Sequence, residues 1–183
     1  METITKETAC FFTQQLFLIG TYNEDGSPHL VPISWVSFTL GPPCCLVISI
    51  HGLKRKKQVS CNIERTGLLS ATVATPDLLP FAEQQNRATK RENTVIPLET
   101  ESGKVLKVPL IRGAAWSYEC RVIRTVRIGG CDTHFAAFEN VNVRDDIQKL
   151  DFIDLRTINP VVYSPNNYFT IGKHLGEIGD YSK

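Results

Sequence analysis

Missing features narrow the possibilities first. The 20 Lys and Arg residues nearly cancel the 19 Asp and Glu, leaving a formal charge of +1 over 183 residues. That balance gives no global pull toward nucleic acid or an anionic membrane, and neither partner is expected. No apolar run approaches the ~20 residues that span a bilayer. The opening METITKETACFF lacks a basic stretch followed by an apolar one, so a secretory signal is not expected and the cytoplasm is the expected compartment. His29, His51, His134 and His174 show neither HxH nor HExxH spacing, and no metal site is expected. The nucleotide-binding patterns GxGxxG and GxxxxGK(S/T) are absent. Six cysteines are present (Cys10, Cys44, Cys45, Cys61, Cys120, Cys131), but no CxxC pair and no Cys/His cluster with zinc spacing. Cys44 and Cys45 would point to opposite faces of a strand. The cysteines read as free buried thiols packing as small hydrophobes, with a catalytic or redox thiol as the alternative.

The residues that are present form a β-rich pattern. With 42% apolar residues, the chain can bury a core as one domain over residues 1–183. Gln15 to Tyr22 reads as a strand, and Asn23-Glu24-Asp25-Gly26 as a turn with glycine where positive φ is needed. Ser27 to Phe38 follows as a strand with neither face plainly polar, which predicts burial on both sides. Pro32 within it predicts an edge or a bulge, where a ligand can take up free backbone groups. Gly41-Pro42-Pro43 turns the chain into Cys44 to His51, a core strand. Lys54 to Thr66 reads as a helix burying Val59 and Ile63 and stopped by Gly67. Leu68 to Ala74 is the next strand, and Thr75-Pro76-Asp77 opens a helix running to Gln85. Asn86 to Gly103 is polar and weakly periodic, as an irregular surface excursion would be. Trp116 to Ile128 and Thr133 to Val143 form a long hairpin, with Tyr118, Cys120 and Val122 on one side. Pro160 to Tyr163 and Tyr168 to Ile171 are short aromatic-rich strands. Hairpin spacing with one or two helices predicts a closed barrel or sandwich.

Two features carry chemistry. Lys54, Arg55, Lys56 and Lys57 stand between a strand and a predicted helix start, where cations disfavour a free helix but complement a bound phosphate. A solvated basic turn is the competing reading. Ser34, Ser37, Thr39 and Ser49 are hydroxyls on otherwise apolar strands, suited either to a polar-edged ligand or to neighbouring backbone. His51 and His134 can line a pocket or cap a strand. Trp35 and Trp116, with Tyr163, Tyr168 and Phe169, suit an aromatic wall, core or subunit interface. Together these residues suggest a cradle for a flat ligand with a phosphate tail.

GTYNEDGSPHLVPISWVSFTLGPPCCLVISI resembles the opening of flavin reductase-like, flavoredoxin-type proteins of the FMN-binding split-barrel superfamily, with their DGxPNxAPISW turn, DPP or GPP, and VSI strand. Lys54 to Gly67 is similar to the family's KxxxNIxxTG through Asn62, Ile63, Thr66 and Gly67. ATPDLL, DTHFAAFENV and PVVYSPNNYFTIGKHLGEIG resemble its later segments in order, so the likeness runs through almost the whole chain. His29 stands where the family often has asparagine, Glu139 where it usually has glycine, and Val59 where it often has threonine. Gln58 and Ser60 are the candidate substitutes for that threonine.

The resemblance implies a mainly β, six-stranded antiparallel split β-barrel of Greek-key type with a few helices. It implies a homodimer with FMN near the subunit interface. The flavin ring would lie along Pro32, Ser34, Trp35, Ser37 and Thr39. Ser49, Lys54, Lys57 and Asn62 would reach the phosphate, with His51 and His134 beside the site. The implied function is an FMN-dependent oxidoreductase, reductase-like, passing hydride or electrons from NAD(P)H or an electron-transfer protein to an acceptor. The alternative is a non-catalytic flavin-binding protein on the same fold, for storage or sensing.

Overall fold

The computed structural model describes residues 13–52, 56–86, 97–148, 154–164, 167–176 and 180. Seven strands form one antiparallel sheet: β2 (Phe17–Tyr22), β3 (Pro28–Ile33), β4 (Val36–Thr39), β5 (Cys45–His51), β6 (Leu68–Val73), β9 (Trp116–Ile128) and β10 (Cys131–Val143). Their order is β3-β2-β6-β9-β10-β5-β4. The two edge strands, β3 and β4, are consecutive in the chain, so the sheet curls until its edges meet at Ser34–Trp35. β3 and β4 are the two halves of one interrupted strand, and counting them together gives the expected six-stranded split barrel. A second sheet joins β1 (Gln14–Gln15) to β11 (Val161–Ser164) and β12 (Asn167–Thr170), and a third pairs β7 (Thr100–Ser102) with β8 (Pro109–Ile111).

The interruption corrects the prediction for Ser27 to Phe38. That stretch is not buried on both sides: β3 is mostly half-buried and β4 mostly exposed. At the break, the Val36 N–H turns back to the Ser34 carbonyl (2.9 Å), and the Ser49 N–H donates to the Trp35 carbonyl (3.0 Å). The expected edge is present. Asn23 N–H donates to the Ser27 carbonyl, which fixes the alternation of the β2–β3 ladder. Residues 29, 31 and 33 bond to β2, while the backbone of Leu30 and Pro32 points to the free edge. Pro28 and Pro32 therefore sit where no ladder bond is lost.

Helix α1 (Gln58–Thr66) starts later than predicted, with Lys57 as its N-cap. It buries Val59 and Ile63 and ends at Gly67 in the left-handed conformation (φ 68°). Predicted residues Lys54 and Arg55 lie outside the described residues. A 3₁₀ turn (Pro76–Leu78) leads into α2 (Leu79–Asn86), and α3 (Asp145–Gln148) and α4 (Leu155–Ile158) follow β10. No helix among the described residues is long and apolar enough to cross a membrane.

One core cluster fills the barrel under α1, with Phe17, Ile19, Ile48, Val59, Ile63 and Leu69 among its members. A second lies between β2, β3, α2 and β11, with Leu16, Leu18, Leu30 and Phe81. Gly20 marks a close approach. A Cβ there would lie 2.4 Å from Ser70 Oγ and 2.8 Å from the Pro109 carbonyl oxygen. Gly20→Ala is expected to lower stability by about 1–3 kcal/mol through overpacking. Urea denaturation reads this, and an unchanged midpoint would show that β8 yields freely.

The cysteine reading needs correcting in part. The five described cysteines are free, but Cys44 and Cys61 are exposed, Cys131 is half-buried, and only Cys45 and Cys120 are buried. Burial, with the neighbouring Cys45, Glu119 and Glu139, pushes the Cys120 thiol far above its ordinary range, so it stays protonated and inert.

Candidate functional site

A cavity of about 540 Å³ opens along the free edge of β3, within the range of small-molecule sites. Ser34 and Trp35 enter it because the strand breaks there. Ser49 and His51 come from β5, and Lys57, Gln58 and Val59 from the start of α1. Of the sequence-predicted residues, the fold brings together Pro32, Ser34, Trp35, Ser49, His51 and Lys57 around this space. Ser49 Oγ lies 2.9 Å from Thr133 Oγ1, a bond that leaves the hydroxyl further capacity.

The other predicted residues are placed differently. Ser37 and Thr39 are exposed on β4, beyond the cavity lining. Asn62 is buried and spoken for: its side-chain amide donates to Thr21 Oγ1 and Asn23 Oδ1, each at 3.0 Å, and accepts from Gln58 Nε2. It ties α1 to the β2–β3 turn. His134 is wholly buried, with Nδ1 2.9 Å from Thr125 Oγ1 and Nε2 without a hydrogen-bond partner among the described residues. Burial lowers its pKa, against the opposing field of Asp132. Lys54 lies outside the described residues.

The basic run divides at Lys56. Lys56 pairs with Glu64 and lies 4.0 Å from Asp132, while Arg127 pairs with the same two carboxylates. These four charges neutralise one another and tie the Gly129-Gly130 hairpin tip to α1. Lys57, the N-cap, lines the cavity, and together with Lys56 it also lines a smaller recess beside the Gly129-Gly130 tip. Among the described residues no side chain caps the helix, which leaves the first N–H groups of α1 without a side-chain partner there.

Tyr163 and Tyr168, two of the residues suited to an aromatic wall, do line the cavity, whereas sequence reasoning missed His29, Leu16 and Gln85. His29 is half-buried in the wall, and burial lowers its pKa, which favours the neutral ring. Leu16, Gln85, Tyr163 and Tyr168 come from outside the barrel sheet. The aromatic-rich tail signalled the two tyrosines, and nothing in the sequence singled out Leu16 or Gln85. Glu139, the departure from the family's glycine, forms an exposed pair with Arg121 at 3.2 Å and is not among the cavity-lining residues. Among the described residues, no group of three or more His, Cys, Asp or Glu is placed to hold a metal ion.

These elements build an interrupted antiparallel barrel with a cation and a helix start at one side of an edge-strand cavity. Residues 9–172 match the flavin reductase like domain, and the chain belongs to that family. It is similar to YdfE of Bacillus subtilis (strain 168), an uncharacterized protein, at 23% identity over 192 residues, covering 94% of this chain and 90% of YdfE. Flavoredoxin of Desulfovibrio vulgaris (Miyazaki F) superposes with a TM-score of 0.84 at 16% identity over the whole of both chains. A Shewanella frigidimarina NCIMB 400 protein with a split barrel domain superposes at 0.77 with 20% identity, over 97% of this chain and 98% of its own. At these identities, the superpositions establish the split-barrel fold.

Proposed function

We propose that the protein binds FMN in the β3-edge cavity and acts as a flavin reductase-like oxidoreductase, moving hydride or electrons from NAD(P)H or an electron-transfer protein to an acceptor. The observation that carries this reading is the charge pattern of the cavity. Among its described lining residues Lys57 alone has a fixed charge, and it stands at an uncapped helix start. A ligand with an anionic tail and an uncharged, polar-edged body matches that pattern.

Lys57 and the first N–H groups of α1 would hold the phosphate. The Ser34 and Ser49 hydroxyls and the free backbone of β3 would meet the polar edge of the ring, with Trp35 beside it. The cofactor supplies hydride and single-electron chemistry, while the protein supplies binding, orientation and exclusion of water. Neutral His29 adds a hydrogen-bonding group without a second charge.

A homodimer belongs to the same proposal. The outer row Ser37–Val47–Phe135 runs across β4, β5 and β10 beside Ser49, and its residues are exposed or half-buried. A second copy covering that row would place the cavity near the subunit interface.

The test is an absorbance spectrum of purified protein supplied with FMN, followed by anaerobic NADH titration. Bound flavin that bleaches with NADH supports the reductase reading. Flavin reduced by dithionite but by neither NADH nor NADPH points to a protein donor. A protein that takes up no FMN overturns the proposal.

A further inference from the structure

His29 stands on the face of β3 that turns toward α1. It lies directly opposite Thr21 of β2, and residues paired across a ladder carry their side chains on one face. Thr21 is joined to α1 by the Asn62 amide, which donates to its hydroxyl at 3.0 Å. Asn62 accepts in turn from Gln58 at 3.0 Å, and Gln58, Lys57 and His29 all line the β3-edge cavity. Polar groups from two elements therefore gather at the helix start.

The charges around the ring are few. Lys57 comes from α1 and His51 from β5, Tyr163 and Tyr168 complete the titratable lining, and no carboxylate is among the described lining residues. Glu83 of α2, a helix packed with Leu30 on the opposite face of β3, lies outside the lining and accepts from the Tyr168 hydroxyl. Asp25 in the β2–β3 turn is held by the N–H and hydroxyl of Ser27. On β2 the residue opposite is the uncharged Thr21. Burial lowers the His29 pKa, which favours the neutral ring in the free protein.

We propose that His29 is a second anion-binding residue of this cavity, beside Lys57, and that its ring takes up one proton from solvent as the anion binds. The flavin reading above enters only in naming that anion as the FMN phosphate. An anion beside Lys57 and His29 supplies the negative charge that the described lining lacks, and it stabilises the imidazolium ring. By reciprocity, the proton strengthens anion binding by the same factor. The anion raises the ring's pKa above its lowered value in the free protein. The extra affinity is therefore fully present below that lower value and is lost as pH rises through the bound one. At higher pH the neutral ring adds a hydrogen bond alone.

Proton NMR of the histidine ring signals tests this, with the His29 signal identified by its loss in His29→Asn. Samples with FMN, with sodium sulfate, or with sodium chloride at matched ionic strength are each titrated in pH. Sulfate stays doubly charged throughout, so its own protonation does not enter. The His29 signal is expected to titrate at higher pH with FMN and with sulfate than with chloride. Fluorescence quenching reads the consequence. From pH 8 to pH 6, FMN affinity of the parent should gain at least about fivefold relative to that of His29→Asn. For riboflavin, which has no phosphate, the same ratio should hold within about twofold. Melting curves run alongside check that the variant is folded.

With FMN bound, an unmoved His29 titration overturns the inference, and so does a pH dependence that survives in His29→Asn. Either result leaves the flavin reading intact. If FMN is not taken up, the flavin reading falls and sulfate decides the role of His29 by itself. A titration raised by sulfate supports the anion-binding residue, and an unmoved one overturns it.

Discussion

Glu119→Ala is expected to cost about 3–5 kcal/mol of stability at neutral pH and to lower the melting temperature by roughly 10 °C. Glu119 is wholly buried on β9. Its carboxylate accepts from the backbone N–H groups of Lys104 (3.0 Å), Val105 (2.9 Å) and Leu106 (2.6 Å), and from the side-chain amides of Asn140 and Asn142 at 2.9 Å each. Removing it strands these donors and releases the segment that covers them. Gly103 is part of the same fit, since a Cβ there would lie 2.6 Å from Glu119 Oε2.

The pH dependence distinguishes this from an ordinary cavity mutation. Burial alone would raise the Glu119 pKa, but the hydrogen bonds from Asn142, Asn140, Leu106 and Val105 outweigh it and hold the group at about 2, against 4.5 unperturbed. The depressed folded pKa contributes on the order of 3 kcal/mol above the unfolded value, lost as pH falls from about 4.5 toward 2. Over that window the parent chain should lose up to about 1.4 kcal/mol per pH unit relative to Glu119→Ala. Urea unfolding at pH 7, 4 and 3 measures this. A stability gap that stays constant across the three, or is absent at pH 7, would sink the account.

Glu119 also shows where the sequence stopped being informative. Alternation along β9 puts it opposite Tyr118, Cys120 and Val122, on a side where a charged residue would ordinarily meet solvent. It is buried because residues 104–106, 13 to 15 positions earlier, fold back over it. The strand break has a similar origin. The strand-like pattern, with neither face plainly polar, continues unbroken through Ser34 and Trp35, and only pairing with β2 on one side and β5 on the other divides the stretch. The turn at Gly26 (φ 83°), the stop at Gly67 and the hairpin at Gly129 were legible because each depends on local backbone conformation. The cavity was legible where strand-end residues converge, as with Pro32, Ser34, Ser49 and Lys57. Asn62 shows the limit: its partner Thr21 is 41 residues away, so its amide read equally well as a phosphate ligand.

Lys57→Glu should weaken FMN binding by about 100-fold or more, while Lys56→Ala should change it by less than about threefold. The two lysines are adjacent, so sequence alone gives them equal claims on a phosphate. The structure separates them. Lys56 is held by Glu64 and Asp132, and removing it mainly disturbs an ion-pair network whose exposed members contribute little. Lys57 lines the cavity at the N-cap of α1. A charge-assisted contact with phosphate contributes about 1.5–3 kcal/mol. Reversing the charge replaces that attraction with repulsion at a helix start, and about 3 kcal/mol corresponds to a 100-fold change. Fluorescence quenching of FMN titrated into each variant measures the affinities. Parent binding should weaken with salt more steeply than that of Lys57→Glu. Equal losses for the two lysine variants would place the phosphate elsewhere. An unaffected Lys57→Glu that still binds FMN would mean that the flavin enters the fold by a different route from the β3 edge.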